Sequence, residues 1–179
     1  MKRLVNYFTF TDNSIFYFLN TKLNCRVFNR IMPYITELGG VVFSLSLPII
    51  LILLNLRSSR NIGFEILFSM ALSQVLVQIL KRSLTRERPY NSLENINTFD
   101  IILKDYSFPS GHTTAAFITA IHLLIYLPQF AIFFLIAAML VGISRIYLAV
   151  HYPSDVLVGV IVGVGTSVVS HLHLFNMFK

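Results

Sequence analysis

Two histidines, one aspartate and a set of cations stand at spacings that suit chemistry on a phosphate group. Pro109-Ser110-Gly111-His112 precedes a long apolar run, so Ser110 is a predicted helix N-cap and Gly111 leaves room for backbone to approach a ligand closely. Free N–H groups and the dipole at a helix start attract anions. This segment would therefore cradle a phosphate while His112 projects its imidazole at whatever the phosphate is attached to. Arg145 adds a planar fork that matches two phosphoryl oxygens. His151 and Asp155 follow, four residues apart, with Pro153 and Ser154 between them. A turn there lets the carboxylate accept a hydrogen bond from one ring nitrogen, which fixes the tautomer and frees the other nitrogen's lone pair to attack. Lys81 and Arg88 are seven apart and share a face if the helix continues between them. Gln74 and Gln78 extend that stripe, and Pro89 ends it.

The elements that must position these groups are membrane helices. Of 179 residues, 55% are hydrophobic and 12% charged, and the mean hydropathy is +0.71. A soluble domain carries roughly a quarter charged residues. The excess of 14 basic over 8 acidic residues forms no stripe on a solvated face, so nucleic-acid binding is excluded. Cys25, alone, makes no internal disulfide or cysteine metal cluster, and the histidines are scattered; no metal or cofactor is expected. The N-terminus lacks a signal-peptide core and reads as mature protein.

Nineteen uncharged residues lie between Glu37 and Arg57, enough at 1.5 Å each to cross a hydrocarbon core. A second run covers about 62–82, and the 39 uncharged residues from Tyr106 to Ser144 divide at Tyr126-Leu127-Pro128-Gln129. The expectation is an all-α polytopic helix bundle forming one domain over 1–179. About five transmembrane helices, near 35–56, 62–82, 112–127, 129–148 and 155–176, follow an amphipathic interfacial helix at 12–30. The connection 83–111 is the predicted active-site loop. Counting crossings brings Lys81, His112, Arg145 and Asp155 to one side of the bilayer, whereas Arg57, Arg60 and Lys179 fall on the other. The positive-inside rule then makes the second side cytoplasmic and the site outward-facing.

At this point the sequence resembles a known family. Lys81-Arg82-Ser83-Leu84-Thr85-Arg86-Glu87-Arg88-Pro89 matches its motif K-x6-R-P, Pro109-Ser110-Gly111-His112 its second, and Ser144-Arg145 with His151 and Asp155 its third, S-R-x5-H-x3-D. It is similar to the type 2 phosphatidic acid phosphatase superfamily, and among its members to small bacterial undecaprenyl-diphosphate phosphatases and phosphatidylglycerophosphatase-like enzymes. The resemblance implies metal-independent hydrolysis of a lipid phosphate or diphosphate in a bacterial cytoplasmic membrane. His151 would attack phosphorus and become a phosphohistidine. His112 would protonate the leaving oxygen, and Asp155 would orient His151. Lys81, Arg88, Ser110, Gly111 and Arg145 would hold the phosphoryl oxygens.

Other readings stand beside this one. The cations taken singly are ordinary interface anchors. Glu37 either touches substrate or caps a helix start. Arg82 and Arg86 attract headgroups or are simply solvated. His122, His171 and His173 belong to packing or the interface. Gly159 and Gly163 permit close helix approach, within the chain or in a weak dimer. Tyr90, Phe99, Tyr106 and Phe108 line a route for a lipid tail or are interfacial aromatics. A phosphotransferase would share every motif. A vanadate-dependent haloperoxidase would share the pocket, but such enzymes are generally larger and soluble. A transporter or anion channel would place charge nearer mid-membrane.

Overall fold

The computed structural model describes residues 2–54 and 56–177, among which there is helix and no strand; Lys179 lies outside them. The helices are α1 (Lys2–Tyr17), α2 (Arg26–Glu37), α3 (Val41–Leu53), α4 (Arg57–Leu84), α5 (Pro89–Ser92), α6 (Gly111–Tyr126), α7 (Ala131–Tyr147) and α8 (Pro153–Met177). Large apolar side chains are turned outward, as Ile132, Phe133, Ile136 and Met139 on α7 and Leu157, Ile161, Val169 and Leu172 on α8 illustrate. That exterior suits lipid rather than water. Three helices (α4, α7, α8) are long and apolar enough to cross a bilayer, and α2 with α3 makes a fourth candidate, bent by 48°. The expected count of five is therefore approximate; α6, with 16 residues, is the short member.

Short as it is, α6 is the centre of the bundle, packed against α4, α7 and α8. Ala116, Phe117 and Ala120 of α6 form a core with Ala138 and Val141 of α7, flanked by Val160 and Val164. Glycines of α8 bring the axes together: a Cβ on Gly159 would lie 2.8 Å from the Ser110 carbonyl oxygen, and one on Gly163 2.7 Å from that of Thr114. Both glycines thus serve contact within the chain.

The helix expected over 12–30 is interrupted. A wide π turn at Phe18–Lys22 swings Asn20 inward, where it is fully buried. Its amide donates to the carbonyls of Asn97 and Tyr147, both at 2.8 Å, and its side-chain oxygen accepts from Asn97 N–H. Satisfying a buried amide outweighs unbroken helical geometry here. Phe16 packs with Ile146 and Ala149, so the N-terminal segment is held against the site end of the bundle. Helix α2 runs on to Glu37, and the chain breaks at Leu38-Gly39-Gly40, beyond the expected start of the first span at residue 35.

Tight α6–α8 packing predicts the cost of disturbing it. Gly163→Val should lower thermal stability in detergent by about 2 kcal/mol through overpacking. Gly165→Ala, whose Cβ would meet open space, should leave the melting curve unchanged or slightly improved.

Candidate active site

A cavity of about 550 Å³ opens at the end of the bundle where α4 finishes and α6 and α8 begin, and Lys81, Arg88, Gly111, His112, Arg145 and His151 all line it. It continues along α4 past Gln78, Gln74 and Met70 and along α3 past Leu45 and Val41, which makes its deeper walls largely apolar. Lys81, Arg88 and Arg145 are buried, with 6%, 2% and 2% of their surface exposed; burying three cations this deeply requires partners or a ligand.

Local folding explains how each arrives. Thr85 ends α4 in the left-handed region (φ 37°, ψ 38°), and the chain then runs extended through Arg88 into Pro89. At the exit of α7, Ala149 takes φ 61°, so that the N–H groups of Val150 and His151 both reach the Arg145 carbonyl at 3.2 Å. That reversal folds His151 back over Arg145. Ser110 caps α6 as expected, accepting from Thr113 N–H and from the Thr113 hydroxyl at 2.9 Å. Its hydroxyl is thus engaged within the helix start, and Ser110 is outside the cavity lining, whereas Gly111 is in it.

His151 is 2% exposed. Its Nε2 lies 3.3 Å from Arg88 Nη1, so the arginine donates and Nε2 carries the lone pair. Nδ1–H then points to Asp155 Oδ2 at 3.6 Å, beyond hydrogen-bond distance; such contacts commonly tighten only when substrate binds. Burial above all lowers the His151 pKa to about 4, with Arg145 and Arg88 adding to the effect and Asp155 opposing it. The ring is therefore neutral at pH 7, with the Nε2 lone pair present. Arg145 donates from Nη1 to Thr36 Oγ1 at 2.7 Å, while its buried Nε–H lacks a partner. A fully buried, unsatisfied guanidinium donor in a cavity wall is what an anion would complete.

Two acidic groups were not expected at this centre. Asp105 bridges Lys81 Nζ (2.5 Å) and Arg88 Nη2 (2.6 Å), and Arg88 also donates to the Asp105 and Val150 carbonyls. Although burial opposes ionisation, the hydrogen bonds and charges of Lys81 and Arg88 bring the Asp105 pKa down to about 2. Asp12, from α1, joins through Arg86. The sequence offers only an acidic residue in the loop carrying the cations as a signal for Asp105, and none for Asp12. Glu37 ends α2 instead of starting a helix; it is exposed and outside the cavity lining, though its charge acts on Arg145. Tyr90 and Phe99 pack in the loop's own core with Tyr147 and Leu148.

This arrangement can be set beside known proteins. The family model described as PAP2 superfamily matches residues 62–178. The chain belongs to the PAP2 superfamily. It is 31% identical over 154 residues to an undecaprenyl-diphosphatase of Sulfolobus acidocaldarius, covering 80% of this chain and 75% of that one. It is 34% identical over 108 residues to a lipid A 1-phosphatase of Rhizobium johnstonii, covering 57% of this chain and 43% of the relative. The crystal structure of a transmembrane PAP2 type phosphatidylglycerolphosphate phosphatase from Bacillus subtilis superposes with a TM-score of 0.77 at 26% identity, covering 97% of this chain and 89% of that one. By family and fold this PAP2 protein is a lipid phosphatase.

The Asp105 bridge predicts a pH signature. A carboxyl whose folded pKa lies below its unfolded value near 3.8 stabilises the fold above that value and loses the contribution as pH falls toward about 2. The difference in melting temperature between wild type and Asp105→Asn should therefore be constant above pH 5, shrink as pH falls through about 2, and vanish only below that.

Proposed function

We propose that this PAP2 enzyme hydrolyses a phosphate or diphosphate from a membrane lipid without a metal, through a phosphohistidine on His151. The observation that carries the proposal is the single cavity shared by His112, His151 and three buried cations, continuous with an apolar groove between α3 and α4. In the first step the Nε2 lone pair of His151 forms a bond to phosphorus as the bond from phosphorus to the lipid-side oxygen breaks, and protonated His112 delivers its proton to that oxygen. In the second, His112, now neutral, takes a proton from water; the water oxygen bonds to phosphorus and the N–P electron pair returns to Nε2. Asp155 faces Nδ1 of His151 and balances the positive ring of the intermediate. Arg145, Lys81 and Arg88, with the N–H groups at the start of α6, stabilise charge on the equatorial oxygens, the main demand of phosphoryl transfer.

Ser110 acts through the cap that fixes this helix start, and Glu37, whose charge is felt at Arg145, would meet a headgroup rather than the phosphate. The groove holds the tail, which is the physical reason for a lipid rather than a soluble ester. Undecaprenyl diphosphate and phosphatidylglycerophosphate lead the substrates, ahead of phosphatidic acid; the names of the relatives support that order. The setting is a bacterial cytoplasmic membrane with the site on its outer face, because the first turn of α4, at the end away from the site, carries Arg57 and Arg60 without an acid.

His151→Ala should lower phosphate release from every lipid of a mono- and diphosphate panel at least about 10³-fold, as loss of a nucleophile does. Retained turnover overturns the mechanism, and a phosphorylated acceptor in place of free phosphate would identify a transferase. For topology, Cys25 is replaced and a single cysteine placed in the 91–97 loop. It should react with a membrane-impermeant thiol reagent in intact cells; labelling only after lysis reverses the orientation.

A further inference from the structure

We infer that Arg86 is a positioning residue for the Asp155–His151 pair, and that Asp12 makes the N-terminal helix part of the active site. The inference rests on the proposed roles of His151 and Asp155. Arg86 and Arg88 lie in the short irregular stretch between α4 and α5. Arg88 reaches His151 Nε2, and Arg86 reaches the carboxylate behind that ring. Arg86 Nη1 donates to Asp155 Oδ1 at 2.7 Å and to Ser154 Oγ at 2.7 Å. Its Nη2 donates to Asp12 Oδ2 at 2.7 Å, and its guanidinium carbon lies 3.9 Å from the centroid of the Tyr152 ring. The backbone is pinned as well, since Ser107 N–H donates to the Arg86 carbonyl at 2.9 Å while the Ser107 hydroxyl donates to Asp155 Oδ2.

Asp155 is fully buried, and its oxygens are divided between tasks. Oδ1 accepts from Arg86. Oδ2 accepts from Tyr152 N–H at 2.8 Å and from Ser107, and faces His151 Nδ1. With Oδ1 fixed by a rigid fork, the plane of the carboxylate is set and Oδ2 stays aimed at the ring. Arg86 is also the cation that compensates a buried carboxylate between substrate turnovers, when His151 is neutral. Asp12 completes the geometry from the far side: its Oδ1 accepts from Ser154 N–H at 2.9 Å and its Oδ2 from the Ser154 hydroxyl at 2.5 Å. The α1 carboxylate thereby ties Arg86 and the start of α8 into one unit. Two aspartates around one arginine leave a net negative charge on the Asp155 side of the His151 ring, opposite Arg88 and Arg145.

The test is steady-state kinetics of the full chain in detergent on one lipid phosphate, with melting curves run in parallel. Arg86→Ala should lower kcat about 10- to 100-fold, the range seen for groups that orient a metal-bound imidazole, with KM within threefold. Arg86→Lys restores the charge but not the fork and should recover part of the loss. Asp12→Asn should lower kcat severalfold in the same pattern. An Arg86→Ala kcat within threefold of wild type overturns the inference, as does a raised KM at unchanged kcat, which would make Arg86 a substrate contact. If Arg86→Ala does not fold, Arg86→Lys and Asp12→Asn carry the test; activity in both that follows only the folded fraction overturns it. His151→Ala is assayed alongside. An inactive His151→Ala with a fully active Arg86→Ala defeats this inference alone, whereas an active His151→Ala defeats the mechanism beneath it.

Discussion

The structure depends on compensating charge that has been taken out of water. Lys81, Arg88 and Arg145 sit at the mouth of an apolar bundle with almost no exposed surface, a placement costing several kcal/mol for each uncompensated ion. The fold answers with carboxylates and carbonyls: Asp105 for Lys81 and Arg88, the Val150 and Asp105 carbonyls for Arg88, Thr36 for Arg145. Compensation is complete for Lys81 and Arg88 but incomplete for Arg145, whose Nε–H remains unpaired. That residual demand, facing a neutral imidazole, is what an anion in the cavity would satisfy.

The same constraint explains why the connections are as ordered as the helices. The loop from Leu93 to Pro109 is held by Asn20 and Tyr90 through backbone hydrogen bonds and by Phe99, Ile101 and Leu103 packed on Tyr147 and Leu148. A mobile loop could not hold Asp105 between two buried cations. Nor could an unsupported turn after α7 keep Ala149 in the left-handed region and His151 over Arg145. Rigidity at this end of the molecule serves preorganisation, since dipoles and charges already in place need not rearrange during reaction.

Much of this was legible in the sequence. Uncharged runs of bilayer length foretold helices, the three motifs foretold which residues would meet, and the Ser110 cap followed from a local pattern. What escaped was non-local. Asp105, Arg86 and Asp12 are ordinary loop and helix charges until a tertiary contact gives them a partner, and the Arg86–Asp12 pair closes across 74 positions. No hydrophobic period records such a contact. Nor was there a glycine or proline near Asn20 to announce the break in the N-terminal helix; the break exists because a buried amide there is better satisfied by Asn97 and Tyr147 than by water. The apolar residues after Glu37 suggest a helix start there as one of its readings, yet Gly39 is where the chain bends, against the carbonyl of His112, 2.4 Å from where a Cβ would stand.

One dimension of the bundle bears on how a lipid would be delivered. Helix α3, which walls the groove, has 13 residues, about 20 Å of rise beside a hydrocarbon layer of about 30 Å. Helix α2, with 12 residues, leans by 48° and still adds about 12 Å of height, so the pair together reaches about the hydrocarbon thickness. This flank therefore gains its bilayer height only through the kink at Leu38-Gly39-Gly40, where Gly39 lies against the His112 carbonyl. A lipid entering along it would meet, at the cavity wall, the one point where this flank changes direction.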